Sequence, residues 1–463
     1  MAATSQQLSD WEGLMWRLET DPFLSANIGN VSVLDRPIDV DVLRRRMAWA
    51  VASIPRLRQR IRPMPYNLGA PAWVDDVDFD LARHVRRVRL AAPGDDRTLA
   101  ALAAAIAAEP FDRDHPLWEL VVVDAMVDGR GALIQKFHHA LADGEGAIVM
   151  ALSFVDAERE VPEREPPTSE EIPELVPPPP PPSVRDLLVA LASRSTDVPK
   201  AILREMGASM TDPSRFITNS GKAAESFASL VAQLSEGGPS YSPLWKARSN
   251  DRHGEFLTVP FAPVRAAANE LGGTVNMALL TVAAAASGDY HRELGTPVER
   301  LRAAMAISTR TSVEQTNAFT LARCTVPTGV MTVRERFARV VDLTTHARRT
   351  ATTTTLDQIA RVATALPTPV VNFVVRQQAS SVDFATSNVR FAPAPCFIAG
   401  ARIVHNYALG PLVGVAYNLT MVSYTGQLDM GIHIDTAAIA DPALLRSALA
   451  ARFEEFAALA PRN

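Results

Sequence analysis

The stretch "LIQKFHHALADGEG", Leu133 to Gly146, decides how the chain is read. A strand-like apolar run ends in two adjacent histidines, His138 and His139, with Asp143 and Gly144 just behind them. Three chemistries compete for such a pair. Neighbouring residues do not aim side chains at one point on a helix or strand, so the pair is a poor chelate. The remaining histidines, among them His84, His115 and His433, show no ligand spacing with acidic or thiol partners, and no metal is expected. Acid–base work is the second reading. Asp143 stands four residues beyond His139, about one turn if the segment coils, where it can orient the imidazole or fix local geometry. Gly144 permits a close backbone approach that a side chain would block. An imidazole titrating near neutrality suits removal of a proton from a hydroxyl. The third reading is a strand end with local hydrogen bonds.

The chain around this stretch has 463 residues, too many for one core, so two domains are expected. With 47% hydrophobic and 21% charged residues it is a folded protein rather than a disordered one. A net charge of -5 gives no general bias towards nucleic acid. Arginines nevertheless crowd the N-terminal quarter ("LRRRMAW", "RLRQRIRP", "RHVRRVRL"), as a solvated face or as a lure for the phosphates of a ligand or lipid surface. Two cysteines, Cys324 and Cys396, make neither a disulfide framework nor a metal cluster, which points to a reducing, cytoplasmic setting. The N-terminus carries no signal-peptide pattern, and the run "MALLTVAAAAS" is too short to span a bilayer, so membrane contact is expected to be peripheral at most.

Glu158 to Val184, with six consecutive prolines from Pro177 to Pro182, reads as a semi-rigid crossover. It separates a first half, residues 1–157, from bridging helices over 185–240 and a second half over 241–463. Both halves mix strand patterns ("IGNVSVLD", "LWELVVVDAM", "EFLTVPFAP") with helical spacing ("TLAALAAAIAAEPF", "TVNMALLTVAAAASGDY"). The last helix starts at Asp441 as N-cap with Pro442 at its first position. The expected class is α/β (α+β), with a ligand site between the halves.

The segment "HHALADG" carries His-His-x-x-x-Asp-Gly, "DHPLWELVVVD" carries Pro116-Leu117-Trp118, and "LGAPAWVDDVDFDLARHV" and "YALGPLVGVAYNLTMVSYTGQLDMGI" flank them. In this combination the chain resembles the bacterial wax ester synthase/diacylglycerol acyltransferase family over nearly its whole length outside the crossover. That family lies in a superfamily with chloramphenicol acetyltransferase-like enzymes and condensation domains. The resemblance implies two similar chloramphenicol acetyltransferase-like domains with an active-site tunnel between them. It implies transfer of a long-chain acyl group from an acyl-CoA to the hydroxyl of diacylglycerol, with wax ester synthesis on long-chain alcohols as a further activity. Coenzyme A enters as substrate; no cofactor and no metal is called for, and the enzyme would work at an inner-membrane or lipid-droplet surface.

In that scheme His139 is the general base, His138 its support and Asn276 the candidate oxyanion donor, unless Asn276 is a helix cap. Asp143 holds the architecture, paired by analogy with Arg310, while Gly144 is structural and Pro116 and Trp118 line or pack the tunnel. Three departures mark the second half. Asn276-Met277 replaces the family's Asn-Asp, "SNVRFAPAP" (Ser387 to Pro395) loses a Pro-Gly, and Asn317-Ala318 replaces Asn-Arg. They bear on acceptor choice or activity level. The competing readings are an acyl-CoA or lipid binder without turnover, and a condensation-type enzyme fed by a carrier protein.

Overall fold

The computed structural model describes residues 6–64, 71–141, 154–160, 165–168, 171–178, 240–308, 319–350, 360, 363 and 368–461. Asp143, Gly144, Arg310, Asn317, Ala318 and the expected bridging helices over 185–239 lie outside the described residues.

The first half runs β1 (Gln6–Gln7), α1 (Asp10–Leu18), β2 (Asn27–Leu34), α2 (Val40–Ser53), β3 (Gln59–Arg62), β4 (Ala72–Asp75), α3 (Leu81–His84), β5 (Val85–Arg89), α4 (Asp96–Ala108), β6 (Trp118–Asp124) and β7 (Gly131–His138). The second runs β8 (Arg252–Pro260), α5 (Phe261–Glu270), α6 (Val275–Glu293), β9 (Arg300–Ser308), β10 (Phe319–Pro327), α7 (Val333–Thr350), α8 (Thr368–Ala379), β11 (Phe384–Arg390), β12 (Phe397–Ile398), β13 (Ala401–Leu409), β14 (Tyr417–Tyr424), β15 (Gln427–Asp435) and α9 (Pro442–Ala457). The strand and helix patterns quoted above all form the element types they predict.

One six-stranded sheet has the order β12-β13-β2-β7-β6-β5, the other β10-β9-β11-β14-β15-β8. Strand β13 comes from the second half of the sequence yet pairs antiparallel with β2 of the first. The sheets therefore interleave across the sequence boundary between the halves. Two close approaches join them. A Cβ on Gly254 of β8 would stand 2.4 Å from the Ala100 carbonyl oxygen of α4, and one on Gly431 of β15 would stand 2.1 Å from that of Ala408 of β13. Only glycine allows backbone to touch backbone there.

Strands β6 and β7 read as nearly continuous apolar runs because they are central and covered on both faces. In β6, Leu120, Val121, Val122 and Val123 are buried; in β7, Ala132, Leu133 and Ile134 are. Helix α9 begins as its sequence requires, with Asp441 accepting the Leu444 N–H at 2.9 Å and Pro442 next to it. The described parts of the crossover form no regular element and touch both halves, Arg159 donating to the Gly400 carbonyl at 3.0 Å. The Trp49 indole N–H donates to the Glu165 carbonyl at 2.7 Å, and the Val176 N–H to Asp75 at 3.1 Å.

Candidate active site

His138 is the last residue of β7 and His139 the first of the turn after it. Strand register puts His138 opposite Asn27 of β2, while its N–H donates to the Leu117 carbonyl at 3.0 Å. The Pro116-Leu117-Trp118 element thus fixes the backbone from which the histidines project. Trp118 itself is spent in the core. Its indole N–H donates to the Leu57 carbonyl at 2.8 Å, and its ring stacks on His84 with centroids 4.6 Å apart. Pro116 is buried beside it.

The His138 ring is wholly buried and held on three sides. Its Nδ1 accepts the Ala140 N–H at 3.0 Å, its Nε2 lies 3.5 Å from Oε2 of Glu19, and its edge meets Trp16 at a centroid distance of 6.4 Å. A nitrogen that accepts an amide N–H has its lone pair free, so the ring carries its proton on Nε2, towards Glu19. The carboxylate of Glu19 is nearly inaccessible. Its Oε1 accepts the Ser25 hydroxyl at 2.9 Å and its Oε2 the Ala26 N–H at 2.8 Å. Burial pushes the Glu19 carboxyl up, but His138, the Ala26 amide and Ser25 together outweigh it and hold the group below its usual value. Glu19 is ionised at neutral pH.

His139 differs from its neighbour. The residue is only half-buried, and its ring meets Trp11 edge-on at 6.1 Å. Its Nδ1 nonetheless has no contact with solvent. Burial pushes its pKa below the ordinary histidine value, so the neutral form dominates at pH 7. The structure thus brings together one immobilised imidazole and one neutral, partly accessible imidazole.

Trp16 also borders a cavity of about 200 Å³ whose other walls include Arg17, Thr20, Met64, Arg113 and Thr368. The Arg113 guanidinium lies 3.4 Å from the Trp16 ring centroid and donates to the Trp16 carbonyl at 3.0 Å. Thr368 of the second half thus meets residues of the first around this cavity, which neither histidine lines. The cavity is smaller than the ~300–1,000 Å³ of most small-molecule sites.

Asn276 is the second residue of α6, half-buried, and Thr274 is the residue that caps the helix, accepting the Met277 N–H at 3.4 Å. The cap alternative for Asn276 therefore falls, and its amide forms no hydrogen bond with the described residues. Met277 points into the second core, 7% exposed, against Gly273 and Phe337. In the altered stretch from Ser387, the residues to Arg390 belong to β11, and Phe391 packs on Tyr424. No group of His, Cys, Asp or Glu that could hold a metal occurs among the described residues.

Sequence reasoning missed Glu19, Trp16, Trp11 and Arg113. Glu19 had one weak signal, a carboxylate placed directly after the apolar face of α1 (Leu14, Met15, Trp16 and Leu18 are buried).

Residues 8–279 match the model of the wax ester synthase/diacylglycerol acyltransferase catalytic domain, and residues 315–457 that of the C-terminal domain of the same proteins. A putative diacylglycerol O-acyltransferase of Mycobacterium tuberculosis is 30% identical over 98% of this chain and 92% of its own length. A second, described as a probable diacylglycerol O-acyltransferase, is 27% identical over 93% and 90%. In fold, the chain is similar to the wax ester synthase/diacylglycerol acyltransferase of Marinobacter aquaeolei, with a TM-score of 0.67 at 19% identity over 97% of this chain and 98% of the other. It is also similar to the first condensation domain of the calcium-dependent antibiotic synthetase, with a TM-score of 0.57 at 12% identity over 99% and 97%. No helix among the described residues is alone long and apolar enough to cross a membrane. On both domain matches, and on a relative aligned from end to end, the chain belongs to the wax ester synthase/diacylglycerol acyltransferase family.

Proposed function

We propose that the protein transfers a long-chain acyl group from acyl-CoA to the hydroxyl of diacylglycerol, with long-chain alcohols as further acceptors and His139 as general base. The observation that carries this reading is the division of labour in the pair, with His138 locked and His139 neutral and partly accessible. With Nδ1 buried, Nε2 of His139 takes the acceptor proton while the oxygen forms its bond to the thioester carbonyl. The tetrahedral intermediate collapses by breaking the C–S bond, and the proton returns from His139 to the leaving thiolate of coenzyme A. A thiol with pKa around 8.5 is a good leaving group, so no acyl-enzyme is required. The Asn276 amide, uncommitted to the helix cap, is the proposed donor to the oxyanion. Asp143 and Arg310 are proposed as the ion pair that braces the turn. Because the acceptor is insoluble in water, the enzyme is proposed to work at a lipid surface by peripheral contact.

Purified protein incubated with palmitoyl-CoA tests the reading through thiol release with diacylglycerol, with hexadecanol and with neither, beside His139→Ala. Acceptor-dependent release that disappears in the variant is expected. Tight palmitoyl-CoA binding without release from either acceptor would overturn it in favour of a binding protein.

A further inference from the structure

Glu19 belongs to none of the motifs discussed above, yet its carboxylate, on the residue that follows helix α1, is directed at His138, more than a hundred residues away in sequence. An ionised carboxylate with so little access to water is costly unless donors surround it. Two do, and an imidazole stands beside them. The Ser25 hydroxyl meets Oε1 at 2.9 Å and the Ala26 N–H meets Oε2 at 2.8 Å, while Nε2 of His138 lies 3.5 Å from Oε2, an ion-pair distance without a formed hydrogen bond. The opposite ring nitrogen of His138 accepts the Ala140 N–H at 3.0 Å. A ring that accepts on one nitrogen and turns the other towards a carboxylate 3.5 Å away cannot flip without losing both contacts, and Trp16, edge-on to it, limits its tilt.

The backbone is held at the same residue. The His138 N–H is taken by the Leu117 carbonyl, and the His138 carbonyl accepts the Leu141 N–H at 2.9 Å. Side chain and main chain of His138 thus form a rigid post, and His139 is presented by the turn that starts from it. We propose that Glu19 is a positioning residue for the acyl transfer: its Oε2 fixes the Nε2–H tautomer of His138, and the fixed ring, through its bond to the Ala140 N–H, sets the turn that aims His139. This inference rests on the reading of His139 as the base.

The geometry separates an acceptor role from a charge role. Glu19→Gln can keep an oxygen at the Oε2 site and turn its amide NH2 to the Ser25 hydroxyl oxygen, so the contacts to Ala26 and His138 survive. Glu19→Met has similar length and no acceptor, so the Nε2–H of His138 is left buried without one. The full-length variants are compared by steady-state kinetics with palmitoyl-CoA and the best acceptor, and by NMR of 15N-labelled histidine to read the His138 tautomer. His138→Gln supplies the assignment.

Glu19→Met is expected to lose about 10²-fold in kcat, the scale on which misplacement of a catalytic group is felt. Its KM for palmitoyl-CoA stays within about twofold of wild type, as for loss of an interaction used only in the transition state. Glu19→Gln is expected to retain kcat within about tenfold of wild type, losing less than Glu19→Met, and to keep the Nε2–H signal. A folded Glu19→Met with unchanged kcat overturns the proposal, and so does Glu19→Gln losing as much as Glu19→Met. If Glu19→Met does not fold, the wild-type spectrum still decides, because an Nδ1–H tautomer at His138 contradicts the arrangement outright. His139→Ala, run alongside, separates the two ideas. Full turnover there would remove the base reading, while the tautomer readout would still report on Glu19.

Discussion

Position 277 offers a measurable test of why this chain departs from its family. Restoring the family's carboxylate, Met277→Asp, is expected to destabilise the protein. Met277 is 7% exposed and packs into the second core, its sulfur on the Gly273 side of the helix start. Removing a buried methionine down to a short side chain costs about 2–5 kcal/mol. The new carboxylate adds about 1.4 kcal/mol for each unit by which burial raises its pKa. One favourable effect opposes these. Residue 277 is the third of α6, where a negative charge near the helix N-terminus contributes about 0.3–1 kcal/mol. The core terms win, leaving a net loss of about 2–6 kcal/mol when burial raises the new carboxyl by one unit. At ~2–4 °C per kcal/mol for a large domain, the thermal midpoint should fall by roughly 5–25 °C.

The pH dependence has a definite sign. An aspartate whose folded pKa lies above its unfolded value binds more protons when folded, so its penalty grows as pH rises through the window above ~4. Thermal unfolding followed by circular dichroism at pH 5 and pH 7.5 therefore gives a larger deficit at pH 7.5. Wild-type midpoints at both pH values would refute the reasoning, since they would mean that this face of α6 is not committed to the core.

Burial lowers the pKa of His139, and a base must be neutral to act, so the acid limb of the kcat–pH profile should lie below the ordinary ~6.5; a limb at or above that value counts against His139 as the base. Trp118→Ala should cost about 3–5 kcal/mol in urea unfolding while leaving KM for palmitoyl-CoA unchanged, because the indole serves the core; a selective rise in KM would place it against substrate instead. His433, buried and donating to the Gly410 carbonyl, has its pKa pushed down to about 4. The unfolded chain takes up that proton first, so stability is lost as pH falls below ~6.5, by about 2 kcal/mol between pH 7 and pH 5 from this group. His433→Gln should flatten that part of the pH dependence in urea titrations.

What could be read from the sequence was local. The cap at Asp441 and Pro442 and the strand leading to His138 depend on residues a few positions apart, and both formed as their chemistry demands. Asn276 also read as a possible cap, because Asn accepts amide protons; the structure starts α6 one residue before it and gives the cap to Thr274. The placement of β13 beside β2 was not legible, since a strand's alternation specifies its faces and not its neighbours. Glu19 was not legible for the same reason. Its partner is His138, and nothing near Glu19 in the chain announces a buried imidazole.

The doubling of the histidine follows from that non-local packing. In the proposed mechanism the aim of the base depends on the residue before it, which ends the strand. Here that residue has Nδ1, its N–H and its carbonyl hydrogen-bonded to Ala140, Leu117 and Leu141, and its Nε2 stands 3.5 Å from the Glu19 carboxylate. An apolar side chain at 138 could fill the volume but would leave the Ala140 amide without its acceptor and the Glu19 carboxylate with only Ser25 and Ala26. A histidine is also rigid enough to transmit their positions. The first imidazole thus serves architecture, and the proposed role of base falls to the second.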